Sequence, residues 1–252
     1  MSSQYKIQSP IQSSGTIWLA SFDIGYINFA WYIEETDGEK LSSIKNITKS
    51  VRYNDDSTPT DCMSKILDSV CNNGKTILYK NSNISTNCVK GKNDLDPETF
   101  HNMIDLLDQY ASYWDKCSSF IIEKQMDFGK AKRNPKALKL GHFCESYFMF
   151  RYGRFKQVVE FPAYNKTIVL GCKKIKGKLQ KNGKYKWTAV DKPTRKKWSI
   201  VKAVEILTNR DEINIIENIK QKAKRDDISD CICQLQAFKY LCFVSNETNL
   251  QI

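Results

Sequence analysis

Long apolar runs are missing from this sequence. None reaches the roughly 18 to 20 residues that a membrane span needs, so no helical span and no membrane partner are expected. Histidine is nearly absent, with only His101 and His142, and the nine cysteines include no Cys-x-x-Cys pair. That removes the usual structural zinc patterns. An odd cysteine count without regular spacing points to reduced thiols in a cytosolic or nuclear compartment. Cys231 and Cys233 stand two apart in a helix-like stretch, so they face different ways. A glycine-rich phosphate loop is also lacking. Asp127-Phe128-Gly129 has the letters of a kinase tripeptide, but neither that loop nor a His-Arg-Asp accompanies it. Asp23-Ile24-Gly25 is followed by Tyr26-Ile27-Asn28, not by the Ser/Thr-rich phosphate loop of an actin-like ATPase. Residues 1–15 are polar and carry Lys6 as their only basic residue, which fits a flexible tail and neither a secretory signal nor an Arg-rich transit peptide.

Acid is nearly absent from one third of the chain. Residues 124–202 hold 22 Lys and Arg against 4 Asp and Glu, a local net of +18 in a chain of net charge +11, and the remainder carries −7. Solubility alone does not require such confinement. A concentrated positive face attracts phosphate backbones and makes binding depend on salt. The 252 residues, 41% hydrophobic and 12% aromatic, are enough for a globular core. We read one α/β domain over residues 16–245, with insertions near residues 50–95 and 172–192.

The elements follow from periodicity. Residues 17–22 read as a buried strand, and residues 28–34 as a second, antiparallel to it across a tight turn at Gly25. Residues 41–48 read as a third strand, 61–71 as a helix and 72–93 as a long polar loop. Asp96-Pro97 and Asn134-Pro135 start helices, with a cap followed by proline at the first helical position. Residues 120–122 read as a short, parallel-type strand ending at Glu123, and 157–161 as a strand closed by Pro162. Residues 172–192 are an exposed loop or hairpin, and helices follow over 194–207 and 227–242. This order suits a mixed sheet flanked by helices.

Acidic residues stand where these elements change. Asp23 leaves the first strand and Glu123 a later one. Asp227 and Asp230, three apart, share a helical face, and Asp226 and Asp230, four apart, do so equally well. Singly, each has an ordinary reading as a turn cap, an ion-pair partner or a helix N-terminal acid. Together they are more specific. Gathered carboxylates repel one another unless a cation neutralises them, and hard oxygen donors select Mg²⁺ or Mn²⁺.

The runs Phe22-Asp23-Ile24-Gly25, Ile122-Glu123-Lys124-Gln125 and Lys224-Arg225-Asp226-Asp227-Ile228-Ser229-Asp230 resemble the acidic motifs of RuvC-like Holliday junction resolvases. The similarity is greatest to the poxvirus-type and fungal mitochondrial-type branches. The basic stretch Thr194-Arg195-Lys196-Lys197-Trp198 resembles the Lys/Arg-rich helix before the last motif, and the strand at residues 158–162 has its counterpart too. The resemblance covers residues 18–243 apart from the two insertions. It implies an RNase H-like fold and a homodimer making two symmetric incisions in a four-way DNA junction with Mg²⁺, for which Mn²⁺ substitutes. It implies that Asp23, Glu123, Asp227 and Asp230 are catalytic metal ligands, with Asp226 an ambiguous neighbour. It further implies an intracellular protein at a viral replication site in the host cytoplasm or nucleus, or alternatively in a mitochondrion. Glu123 lies 100 residues beyond Asp23, farther than in bacterial members, and residues 172–192 have no counterpart.

Lys130, Lys132, Arg133, Lys136 and Lys139 follow Glu123 closely, while Arg195, Lys196 and Lys197 approach from another element. All are placed to hold phosphates, which positions DNA without reading sequence. Trp187, Tyr185 and Phe128 are candidates for stacking on unpaired bases, with core packing the stronger reading for Phe128. Two rivals remain: another RNase H-like nuclease acting on flaps or RNA–DNA hybrids, and a non-catalytic junction-binding module.

Overall fold

The computed structural model describes residues 15–86, 94–125, 134–181, 183, 185–221 and 225–245. In chain order it contains β1 (Thr16–Asp23), β2 (Phe29–Asp37), α1 (Gly38–Ser43), α2 (Asp61–Asn72), β3 (Lys75–Ser82), α3 (Pro97–Asp108), α4 (Ala111–Trp114) and β4 (Cys117–Lys124). Then come α5 (Pro135–Tyr152), β5 (Gln157–Pro162), α6 (Tyr164–Val169), β6 (Ile175–Leu179), β7 (Tyr185–Thr188), α7 (Lys192–Asn209), α8 (Ile213–Gln221) and α9 (Arg225–Lys239).

Five strands form one sheet in the order β3-β2-β1-β4-β5. β1 and β2 pair antiparallel, as do β2 and β3, whereas β1–β4 and β4–β5 are parallel. The β1–β2 turn is tight enough that a Cβ on Gly25 would meet the Asn28 carbonyl oxygen at 2.7 Å. The small residue is therefore required by backbone approach.

Alternation along the strands divides the core in two. Leu19, Tyr32, Ile121 and Phe161 face a layer holding α2, α7, α8 and α9. Phe22, Trp31, Phe120 and Ile122 face α3, α4 and α5 on the other side. The second layer is dense in rings: Phe120 stacks on Phe148 at 3.9 Å between centroids, and Trp31 meets Trp114 edge-on at 5.8 Å. A ring such as Phe22, fully buried here, stabilises the fold by about 1.5–3 kcal/mol. With both faces covered, the central strands read as nearly continuous apolar runs.

Helix starts follow the expected chemistry. The Asp96 side chain accepts a hydrogen bond from the Glu98 backbone N–H, and Asn134 accepts one from that of Ala137, each ahead of a proline in the first turn. Two expectations fail. Residues 41–48 do not form a strand. The Asp37 carboxylate accepts the Lys40 N–H at 2.9 Å and so turns the end of β2 directly into α1. Residues 72–93 are not all loop, because β3 runs along β2 as an edge strand. Its Asn, Ser and Lys content reflects that partly exposed edge. The short helix α6 and helix α8, with Ile216 and Ile219 buried, were also not anticipated.

Candidate active site

β1 and β4 are adjacent and parallel, with Phe22 level with Ile122. The next residue on each is an acid, so Asp23 and Glu123 leave the sheet side by side. By the pleat, both lie on the face that Ile121 shares with α9. Helix α9 crosses this face and is fixed there by Gln234. The Gln234 side-chain amide donates to the Ser21 hydroxyl at 3.0 Å, the Phe22 carbonyl at 3.2 Å and the Ile121 carbonyl at 3.1 Å. That bond set spans β1 and β4 and brings the first turns of α9, with Asp226, Asp227 and Asp230, towards the strand ends.

The three helix acids diverge. Asp230 faces the strand acids: the Lys166 ammonium on α6 lies 3.1 Å from its Oδ1 and 3.1 Å from Glu123 Oε1. Asp227 accepts a hydrogen bond from the Asn81 amide of β3 at 3.1 Å. Asp226 pairs with Lys196 on α7. Asp226 therefore points to the α7 side, and Asp227 contributes to the field at Asp23.

The electrostatics are those of crowded like charges. Burial, then Glu123, Asp230 and Asp227, push the Asp23 pKa well above the ordinary carboxylate range despite Lys166. Glu123 goes the other way: burial opposes its charge, but Lys166 and a hydrogen bond with Asp23 hold it below the ordinary value. Asp227 is raised by burial and by Asp226. Burial disfavours the Lys166 ammonium, yet Glu123, Asp230 and Asp23 hold its pKa above that of a free lysine. One buried cation thus serves several carboxylates.

These donors fit a hard divalent cation, since all are carboxylate oxygens and their net charge exceeds what Lys166 neutralises. With Lys166 between Glu123 and Asp230, the acids do not close into a tight ligand group. Among the described residues, one set of His, Cys, Asp and Glu has ligand atoms mutually within 4.8 Å: His142, Glu145 and Glu160. It lies on the α5 face of the sheet, where burial and Glu160 raise Glu145 to about 7 and Lys124 binds Glu160 at 2.8 Å.

The basic candidates are scattered. Lys130, Lys132, Arg133 and Phe128 lie outside the described residues. Lys136 is buried, with its ammonium 4.9 Å from the Tyr26 ring centroid, while Lys139 is exposed. Arg195 and Lys196 are half-buried and Lys197 is exposed on the first turns of α7. Sequence reasoning missed Lys166, Asn81 and Gln234. Lys166 was within reach of it: the residue follows strand-closing Pro162, and strand ends are what flagged Asp23 and Glu123.

The sheet order and flanking helices define an RNase H-like fold of the kind found in Holliday junction resolvases. The yeast mitochondrial Holliday junction resolvase Ydc2 superposes with a TM-score of 0.51 at 10% identity, over 94% of this chain and 84% of that one. No protein-family model matches the chain. It is 33% identical over 235 residues to the uncharacterised protein 170L of Invertebrate iridescent virus 6, covering 89% of each. It is 30% identical over 231 residues to protein 97L of Invertebrate iridescent virus 3, covering 88% of this chain and 98% of that protein. The chain belongs to the family of these iridescent-virus proteins.

Proposed function

We propose that this protein is a viral Holliday junction resolvase, a Mg²⁺-dependent endodeoxyribonuclease that makes paired symmetric incisions in four-way DNA junctions. The observation that carries this reading is the convergence of Asp23 and Glu123, from neighbouring parallel strands, with Asp227 and Asp230 from the start of α9. A pure DNA binder gains nothing from a cluster of carboxylates facing phosphate.

Asp23, Glu123, Asp227 and Asp230 would hold the divalent metal, which supplies charge neutralisation at the attacking and leaving oxygens of a phosphodiester; Mn²⁺ would substitute. Lys166 keeps Glu123 and Asp230 aligned within one site. Lys196 on α7 pairs with Asp226, and with its neighbours Arg195 and Lys197 in the first turns of that helix it would hold backbone phosphates. Paired cutting requires two copies, so a homodimer belongs to the proposal. Phe150 in the last turn of α5 is 91% exposed and Phe155, just beyond that helix, is 98% exposed, apolar side chains suited to association. Viral relatives favour action at a viral replication site in the host cell.

The test is a labelled immobile four-way junction incubated with and without Mg²⁺, beside an Asp23→Asn control. Symmetric nicks from the wild type alone support a resolvase. Binding without cuts supports a structural binder. Cutting of flaps or RNA–DNA hybrids instead moves the activity to another RNase H-like nuclease.

A further inference from the structure

The lysine-rich insertion forms a second sheet of two strands, β6 and β7, which pair antiparallel. No described side chain of either strand is buried. Ile175 and Leu179 are more than half exposed, and Tyr185 is nearly so. A hairpin of this kind is marginal by itself, so its persistence as surface structure needs an anchor or a partner. The anchor is at its root. The Lys174 N–H donates to the Asp56 carbonyl at 2.7 Å, the Lys173 ammonium lies 3.7 Å from the Asp56 carboxylate, and the Cys172 N–H donates to the Thr167 carbonyl at 2.8 Å. Among the described residues of the hairpin's body, the hydrogen bonds run within the hairpin itself.

Its charge is of one sign. From Lys173 to Val190 the sequence holds seven lysines and no acid. The strand pairing holds one of these lysines against a ring: the Lys176 ammonium sits 3.7 Å from the centroid of the Tyr185 ring. A cation–π contact of this kind holds an ammonium in place without neutralising it. It also covers one face of the Tyr185 ring.

The hairpin is connected by the chain at both ends to elements of the acidic site. It leaves from α6, which carries Lys166, and returns into α7, whose Lys196 pairs with Asp226. We propose that the β6–β7 hairpin grips the phosphate backbone of a duplex arm next to the acidic site, without reading base sequence. The proposal rests on the nuclease reading only in naming that duplex as substrate. An acidic protein lacks the regular phosphate array that a row of lysines suits, and the hairpin's position favours DNA over a membrane.

The full chain would be titrated in EDTA against an immobile four-way junction and a linear duplex, across a range of salt. Lys176→Gln, Lys178→Gln and Lys186→Gln are introduced together, beside the matching triple Arg variant. These side chains are exposed, and a thermal melt verifies that each variant is folded. The triple Gln variant should bind both probes on the order of tenfold more weakly. The slope of log affinity against log salt should fall by about 2 to 3, since each phosphate contact contributes about 0.9. The triple Arg variant should bind like wild type. Unchanged affinity and slope in the Gln variant would overturn the proposal. So would phosphatidylserine-vesicle binding that the Gln variant alone loses while its DNA affinity holds, which would assign the hairpin to anionic membrane. Mg²⁺-dependent nicking lost in Asp23→Asn reports separately on the nuclease reading. A hairpin effect without nicking keeps the DNA grip and sinks the nuclease, and nicking without a hairpin effect does the reverse.

Discussion

Two clusters of charge lie on the same face of the sheet, and they are built on opposite principles. Around Glu34, near the end of β2, one acid is surrounded by partners. Arg210 donates to it at 2.8 Å, Lys239 at 2.5 Å, the Gln236 amide at 2.8 Å and the Tyr32 hydroxyl at 3.0 Å. The backbone closes against it, for a Cβ on Gly74 would come within 2.1 Å of Glu34 Oε1. Burial alone would raise the Glu34 pKa, but Arg210 and Lys239 outweigh it and hold the group at about 2. Around Asp23 the ratio is inverted, with several acids to one Lys166 and a raised pKa. A buried acid saturated with cations and donors is a structural pin. Under the proposed function, partly buried acids left short of positive charge are the place where a divalent cation would bind.

The largest effect should come from breaking the pin. Glu34→Gln leaves Arg210 and Lys239 buried without their counter-charge. Removing one partner of such a group costs about 3–5 kcal/mol, which lowers Tm by roughly 10 °C in a chain of this size. Thermal unfolding measures it, and a melt within a degree or two of wild type would show that the network is not a pin. The matching change in the other cluster has another signature. Asp23→Asn should reduce junction cleavage by at least about 10²-fold, the cost of losing one preorganised electrostatic group, while junction binding persists. In EDTA this variant should melt no lower than wild type, because it removes a charge the fold disfavours. Equal turnover by Asp23→Asn and wild type would defeat the assignment of Asp23 to the metal site.

The two clusters should also diverge with pH. Glu34 has a folded pKa of about 2 against an ordinary 4.5. Its stabilisation is therefore fully present above pH 4.5 and is lost as pH falls through about 2, in total on the order of 3 kcal/mol. Asp23, whose folded pKa is raised, has the opposite sign: its contribution is present at low pH and is lost as pH rises above its ordinary value. In EDTA, the Tm difference between wild type and Glu34→Gln should shrink on acidification from pH 5 to pH 3. A constant difference would mean that Glu34 is not ionised in the fold.

Much of this contrast was legible in the sequence, and unevenly so. Asp23 and Glu123 announce themselves because each ends an apolar run, and the pleat does the rest. Asp226 and Asp227 could not be separated by spacing, since both fit one helical face with Asp230; the neighbouring α7 and β3 separate them through Lys196 and Asn81. The Glu34 pin was invisible as a unit, because its members come from β2, the end of α7 and the last turn of α9, which pair only after folding. A trace was present: Gln234, Gln236 and Lys239 are polar residues in a stretch otherwise built to be buried. Polar residues in such positions have to find partners. β3 was hidden because an edge strand need not be apolar.

The comparison can be sharpened at Lys166, the cation that makes the acidic cluster partly resemble the pin. Lys166→Met keeps most of the volume and removes the charge between Glu123 and Asp230. Without metal the variant should melt below wild type, because two nearby carboxylates lose their counter-ion. With Mg²⁺ it should recover, and the Mg²⁺-induced rise in Tm should exceed that of wild type, since metal and ammonium compete for the same oxygens. A tenfold gain in metal affinity corresponds to about 1.4 kcal/mol of added stabilisation at saturating metal. Equal Mg²⁺ shifts in variant and wild type would show that the metal does not enter between Glu123 and Asp230.

The smallest effect on stability should come from Lys196, and that is what makes it informative. Its ammonium pairs with Asp226 at the rim of the site, with the lysine side chain 43% exposed. An ion pair so open to solvent contributes about 0–1 kcal/mol, so Lys196→Gln should melt within a few degrees of wild type. Its loss should be seen in DNA binding, as a lower affinity for the junction and a salt slope reduced by about 0.9. Asp226→Asn frees the same ammonium from its acid and should leave that slope intact or steeper. If both substitutions weaken binding equally, the pair acts as a structural unit like Glu34 and its partners. If they act in opposite directions, Lys196 is a phosphate contact that Asp226 holds in reserve.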